Sequence, residues 1–143
     1  MQQFFEKFVS RRITIRKAEH EDLEEYMSQV RIYQLKKDKD KIIINEQPDR
    51  LYLAIEDSAA KMIGLIKVEA IEKDIPYVSI SIPNNVWNAR YGKETLHQFV
   101  KCCKQRKLYK RICFNYNNKI VREYKEERPE MFDKGVFVDL SIA

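Results

Sequence analysis

Apolar and polar residues alternate along Arg12-Ile-Thr-Ile-Arg16 and again along Leu51-Tyr-Leu-Ala-Ile-Glu56. A period of two predicts β-strands at both places. Met62-Ile-Gly-Leu-Ile-Lys-Val-Glu-Ala70 reads as a third strand, and Asp57-Ser-Ala-Ala-Lys61 before it as a turn. Together these two strands are expected to form an antiparallel hairpin. Tyr77-Val-Ser-Ile-Ser-Ile-Pro83 is β-branched with serines at alternate positions, a fourth strand ended by Pro83 and the asparagines after it. Arg111-Ile-Cys-Phe-Asn115 predicts a fifth strand and Gly135-Val-Phe-Val-Asp-Leu-Ser-Ile142 a final one.

Elsewhere the apolar spacing is three to four. Phe4, Phe5, Phe8 and Val9 predict a short helix over residues 2–9, packed on the domain or on a partner. Ala18-Glu-His-Glu-Asp22 opens the next helix, with acids in the first turn to suit the helix dipole. Leu23, Tyr26, Met27, Val30 and Tyr33 are its buried stripe. Lys36 to Lys41 is a charged, solvated segment, and Ile42-Ile-Ile-Asn45 is either a second short helix or a loop with an apolar anchor. From Gly92 the residues Leu96, Phe99, Val100, Cys103 and Leu108 predict a long helix, and Asn117 to Glu126 another with Ile120, Val121 and Tyr124 on one face. The long helix lets strand five return beside strand four in parallel by a right-handed crossover. The expected fold is α+β in one domain over residues 1–143, with residues 1–10 as an N-terminal extension.

Composition narrows the class. The 143 residues suffice for one domain with a sizeable core. No apolar run approaches the ~20 residues of a membrane span, and the N-terminal stretch is too short and acidic for a signal peptide. Cys102, Cys103 and Cys113 are odd in number, two of them adjacent, and read as reduced thiols of a cytoplasmic protein. The net charge of +5 arises from 27 basic and 22 acidic residues. Spread that way, it predicts an evenly solvated surface and makes nucleic-acid binding the weakest of the functional readings. No metal-ligand cluster stands out.

The junction from strand four into the long helix has a chemical use. The first N–H groups of a helix lack internal partners and carry partial positive charge, which suits phosphate. Gly92 would let a ligand approach the backbone there, with Arg90 and Lys93 on either side. An ordinary strand-to-helix turn with no ligand is the plainer alternative.

The element order, one strand, helical segments, three strands, then helix, strand, helix and strand, resembles the GNAT N-acetyltransferases over residues 12–142. Ile13-Thr-Ile-Arg-Lys-Ala-Glu-His-Glu-Asp-Leu23 is similar to that family's opening strand and helix. Trp87-Asn-Ala-Arg-Tyr-Gly-Lys-Glu-Thr-Leu96 is similar to the W-G-K-G-Y-G-T-E-A-L loop of its ribosomal-protein and polyamine branches. Asn117, Ile120 and Tyr124 match the later N-x-x-A-x-x-x-Y helix. The resemblance implies a mostly antiparallel mixed sheet, splayed at the parallel pair of strands four and five, with helices on both faces. It implies acetyl-CoA as cofactor and an amine of a small molecule or a protein N-terminus as acceptor.

By the same resemblance, Ser79, Ile80, Ser81 and Ile82 would hold the pantetheine arm. Backbone amides of Ala89, Arg90, Tyr91, Gly92 and Lys93 would hold the phosphates, with Asn117 and Tyr124 near the thioester. A lysine-like amine has a pKa of roughly 10 and must lose a proton before attacking, and a thiolate leaving group has one near ~8.5. Tyr124 is the expected acid, and a strand-four N–H suits the oxyanion. Glu69 or Glu72 is the expected base, each alternatively a solvated surface acid. His97 is expected to pack or face solvent, and His20 to sit at a helix start.

Three departures from the family pattern are visible. Arg90 stands where the first loop glycine belongs, Lys125-Glu-Glu-Arg-Pro129 replaces the Gly-Phe after the tyrosine, and the last hairpin is expected to be reduced. They keep open a catalytically silent GNAT-like module for protein interaction, through the Phe4, Phe5 and Phe8 face or as a homodimer.

Overall fold

The structure is a computed structural model that describes residues 6–33, 40–70, 75–133, 135 and 137–140. In chain order the elements are β1 (Phe8–Val9), β2 (Ile13–Lys17), α1 (His20–Tyr33), β3 (Arg50–Asp57), β4 (Met62–Glu69) and β5 (Tyr77–Ser81). They are followed by α2 (Asn85–Gln105), β6 (Arg111–Phe114), α3 (Lys119–Glu127), a 3₁₀ turn (Pro129–Met131), β7 (Phe132–Asp133) and β8 (Phe137–Asp139).

Among the described residues eight strands form one sheet in the order β1-β2-β3-β4-β5-β6-β8-β7. Every neighbouring pair is antiparallel except β5 and β6, which are parallel, as the crossover through α2 requires. Alternation along β3 divides the core. Leu53 and Ile55 pack with Leu96, Phe99, Ile120 and Tyr124 of α2 and α3 on one face. Tyr52 and Ala54 pack with Leu23, Tyr26 and Val30 of α1 on the other. Helices therefore cover both faces, as expected.

A buried hydroxyl chain ties the two layers. Tyr26, fully buried in α1, donates its phenol proton to Ser81 Oγ at 2.9 Å and accepts the Ile42 N–H at 2.7 Å. The 42–45 segment is thus a loop held by an apolar anchor, Ile42, rather than a helix.

One expected element is corrected here. Phe8 and Val9 are an edge strand paired with Thr14 and Ile15, not helix; residues 2–5 lie outside the described residues. The neighbouring β2 offers an unpaired ladder edge, which a strand satisfies and a helix would not. Phe8 packs on the core beneath the Arg106 guanidinium, 5.4 Å from its ring centre, so it is no free docking face. The expected final strand is present as β8, and the two-residue β7 ahead of it pairs with it in a small hairpin.

The start of the long helix also differs from the expectation, with a consequence for phosphate binding. The long helix begins at Asn85, two turns before Gly92. Asn84 caps it, its Oδ1 accepting the Val86 and Trp87 N–H groups at 2.9 and 3.2 Å. Nothing between Asn84 and Tyr91 needs a positive φ, and the buried stripe simply runs back from Leu96 to Tyr91. Gly92 is a close-approach residue instead: a Cβ there would meet three Ile120 side-chain atoms at 3.1 to 3.3 Å, which fixes how tightly α3 lies on α2. Gly64 does the same for the end of β5, where a Cβ would lie 2.5 Å from the Ser81 carbonyl oxygen.

Candidate functional site

β6 accompanies β5 only through Tyr77 and Val78. The Cys113 N–H donates to the Pro76 carbonyl at 3.0 Å and the Asn115 N–H to the Val78 carbonyl at 2.9 Å. Even-numbered residues of this stretch therefore turn their backbone groups toward β6, and Ile80 and Ile82 come next in that series, past the end of β6. The parallel pair is splayed there. Ser79 and Ser81 face the other way and pair with Lys67 and Leu65 of β4.

The splay is bridged by side-chain amides. Asn118 Nδ2 donates to the Ile80 carbonyl, and Asn88 Nδ2 to the Ile82 carbonyl at 3.1 Å. Asn118, 3% exposed, also caps α3, accepting the Ile120 and Val121 N–H groups at 2.8 and 3.3 Å. One buried side chain thus sets the start of α3 and its distance from β5. Asn117, the residue matched to the family motif, is exposed, and its N–H is used locally on Asn115 Oδ1.

The amides of Ala89 to Lys93 lie inside α2, where each N–H pairs with the carbonyl four residues back. They present no free donors to a phosphate, in contrast to the expectation from sequence. Tyr91 is buried, its ring flanked by the guanidinium groups of Arg12 at 4.8 Å and Arg90 at 5.3 Å.

Along the groove between α2 and α3 lies a cavity of about 300 Å³ lined by Arg90, Lys93, Glu94, His97, Tyr124 and Arg128, among others. Tyr124, 1% exposed, reaches His97 Nδ1 at 3.0 Å. Burial pushes the Tyr124 phenol up to about 12. Burial first, then the nearby Arg128 and Lys101 cations, holds His97 below its ordinary value. At the rim Lys93 Nζ meets Glu127 at 2.6 Å, and Arg12 meets Glu94 at 3.3 Å.

Of the two expected bases, Glu69 is not brought to this cavity. Glu69 pairs in register with Tyr77, at the far end of β5 from Ser81, and is held by Lys67 at 2.6 Å and Arg50 at 3.8 Å. Glu72 lies outside the described residues. Two residues of the site were missed from sequence, Asn118 and Asn88, while His97, expected to pack or face solvent, packs against Tyr124. Asn118 and Asn84 were legible as caps, each being an asparagine just before an amphipathic helix. The contact of His97 with Tyr124 joins positions 27 residues apart and left no local trace.

No family model matches the sequence, and no curated protein matches it. Solved structures do. A domain from Methanocaldococcus jannaschii superposes with a TM-score of 0.63 at 19% identity, covering 89% of this chain and 97% of that one. The spermidine/spermine N-acetyltransferase SpeG of Vibrio cholerae, in mutant form, gives 0.64 at 13% identity over 90% and 94% of the two chains. A Vibrio cholerae protein named for ribosomal-protein-serine acetyltransferase activity gives 0.58 at 15% identity over 80% and 75%. At such identities the likeness concerns architecture: the chain has the fold of the GNAT acetyltransferases.

Proposed function

We propose that this protein is an acetyl-CoA-dependent N-acetyltransferase that passes an acetyl group to an amine of a small molecule or a protein N-terminus. The observation that carries the reading is the splay beside Ile80, a strand edge without a strand partner, on the sheet face that also holds Tyr124 and its cavity. Acetyl-CoA would supply an activated acyl thioester there. The Ile80 N–H points to the side of the splay and can donate to an oxygen that gains charge. Arg90, Lys93 and Arg128 line the cavity and can hold phosphate by side chain, the role the helical amides of residues 89–93 cannot fill.

Tyr124 serves best as a hydrogen-bond donor. With its pKa near 12, full transfer to a thiolate of ~8.5 would run about 5 kcal/mol uphill. His97 Nδ1, 3.0 Å from the phenol oxygen, can orient it. Glu94 and Glu127, the carboxylates at the cavity, are each already paired with a cation.

A second reading, a GNAT-fold interaction module without catalysis, is favoured by specific contacts. Asn84 caps the α2 amides, Asn118 and Asn88 occupy both carbonyls of the splay, and Lys93–Glu127 with His97–Tyr124 ties α2 to α3. Thermal melting with millimolar acetyl-CoA separates the two. A ligand at a hundred times its Kd stabilises by about 2.7 kcal/mol, and an unmoved midpoint assigns the silent module. Where the midpoint rises, Tyr124→Phe should slow acetyl transfer to an amine panel while keeping the rise; an unchanged rate removes Tyr124 from the chemistry.

A further inference from the structure

The balance of 27 basic and 22 acidic residues conceals a segregation. From Thr95 to Arg122 there is no acid and there are eight Lys or Arg residues, so the rest of the chain is net acidic by three. Four of the eight, Lys101, Lys104, Lys107 and Lys110, lie in the last turns of α2 and the connection to β6. Most of the paired cations lie elsewhere: Arg12, Arg16, Arg50, Lys67 and Lys93 each meet a carboxylate. Among the described residues none meets these four lysines.

The backbone adds an independent observation. Lys107 has φ of 53° at the residue after the helix cap, with the Leu108 N–H donating back to the Cys103 carbonyl at 3.0 Å. Helices that end this way usually place glycine there, because a Cβ is strained at positive φ. A lysine there is strained relative to glycine, as Ala60 (φ 60°) and Ala70 (φ 58°) are at other turns of the chain. Cations at a helix C-terminus do suit the dipole, but that effect rewards the last turn, not a strained lysine beyond it or Lys110 three residues later.

We propose that this end of the molecule is a docking surface for the phosphate backbone of double-stranded nucleic acid. Lysine is depleted in protein–protein interfaces, whereas point cations on flexible stems suit phosphodiesters. The cluster offers no stacking platform for single strands: Tyr109, its one aromatic ring, is half-buried, and burial pushes its phenol up to about 12. Binding is therefore expected to be independent of sequence and steeply dependent on salt.

The test is fluorescence anisotropy with a labelled 20-base-pair duplex, RNA in one arm and DNA in the other, from 50 to 200 mM salt. Four phosphate contacts predict a log–log slope of about −3.6 on DNA and a loss on the order of 100-fold across that range. Replacing the four lysines together (Lys101→Gln, Lys104→Gln, Lys107→Gln, Lys110→Gln) should abolish the slope. A variant of equal net charge (Lys17→Gln, Arg31→Gln, Lys61→Gln, Lys119→Gln) should keep it. Equal loss in the two variants, no duplex binding at 50 mM salt, or binding to phosphatidylserine vesicles in preference to both duplexes overturns the proposal. Lys107→Gly gives an internal check, since its melting point should rise while its duplex affinity falls several-fold. A fall in both would make Lys107 structural. None of these outcomes depends on acetyl-CoA binding.

Discussion

Asn118 is the residue on which the geometry of the splay turns, and its replacement gives the sharpest test of that geometry. Its side chain makes three contacts at 3% exposure: two accepted from the first amides of α3 and one donated to the Ile80 carbonyl. Asn118→Ala removes a cap, which costs about 1 kcal/mol, and leaves a buried carbonyl without a donor, which costs about 1–3 kcal/mol. The expected loss is about 2–4 kcal/mol. With an unfolding entropy of roughly 2.1 cal/mol/K per residue, this chain should melt about 7–13 °C lower. Asn118→Ser separates the parts, because the hydroxyl still caps α3 but is too short to reach the Ile80 carbonyl. It should melt about 3–10 °C below wild type, above the alanine variant. Differential scanning calorimetry measures both. If the serine variant melts with wild type while alanine falls, the cap alone matters and the tie across the splay carries nothing.

Gly64→Ala places a methyl 2.5 Å from the Ser81 carbonyl oxygen and 2.7 Å from Ile82 Cγ1, a backbone clash that no rotamer relieves. It should destabilise by about 3 kcal/mol or more, read by urea titration, and a variant within 1 kcal/mol of wild type would put β5 further from β4 than these contacts require. His97, held below its ordinary 6.5, binds its proton less well folded than unfolded, so stability should decline as pH falls from about 6.5 and stay level above it. His97→Gln should remove that decline in urea midpoints taken from pH 5 to 8; parallel curves for the two proteins would contradict the burial. Asp22 is held low first by its paired hydrogen bonds to Arg16, at 2.8 and 2.9 Å. That contribution is present above the ordinary 3.8 and lost as pH falls through the depressed value, so Asp22→Asn should cost about 1–2 kcal/mol at pH 7 and progressively less as the pH falls below 3.8.

The order of strands and helices was legible in the sequence because each element's periodicity is a local property. Alternation in Ile13-Thr-Ile, the serine-spaced run at Tyr77 and the stripe of Leu23, Tyr26 and Val30 each report one buried face, whatever that face later meets. The long helix was misplaced by two turns for a related reason. Gly92 looked like a junction because a glycine's purpose is invisible without its neighbour, and that neighbour, Ile120, lies 28 residues downstream. Likewise, whether Phe8 is helix or strand depends on an open edge at β2, and whether His97 faces solvent depends on Tyr124.

The amino-acid sequence alone thus determined the architecture and the acid-free stretch, since both follow from the order of side-chain types. Only the tertiary structure decided which amides are free, which carbonyls of the splay are taken by Asn118 and Asn88, and which lysines meet no carboxylate among the described residues. Those are pairings between distant positions, and a hydrogen bond or ion pair exists only where packing brings both partners within about 3 Å.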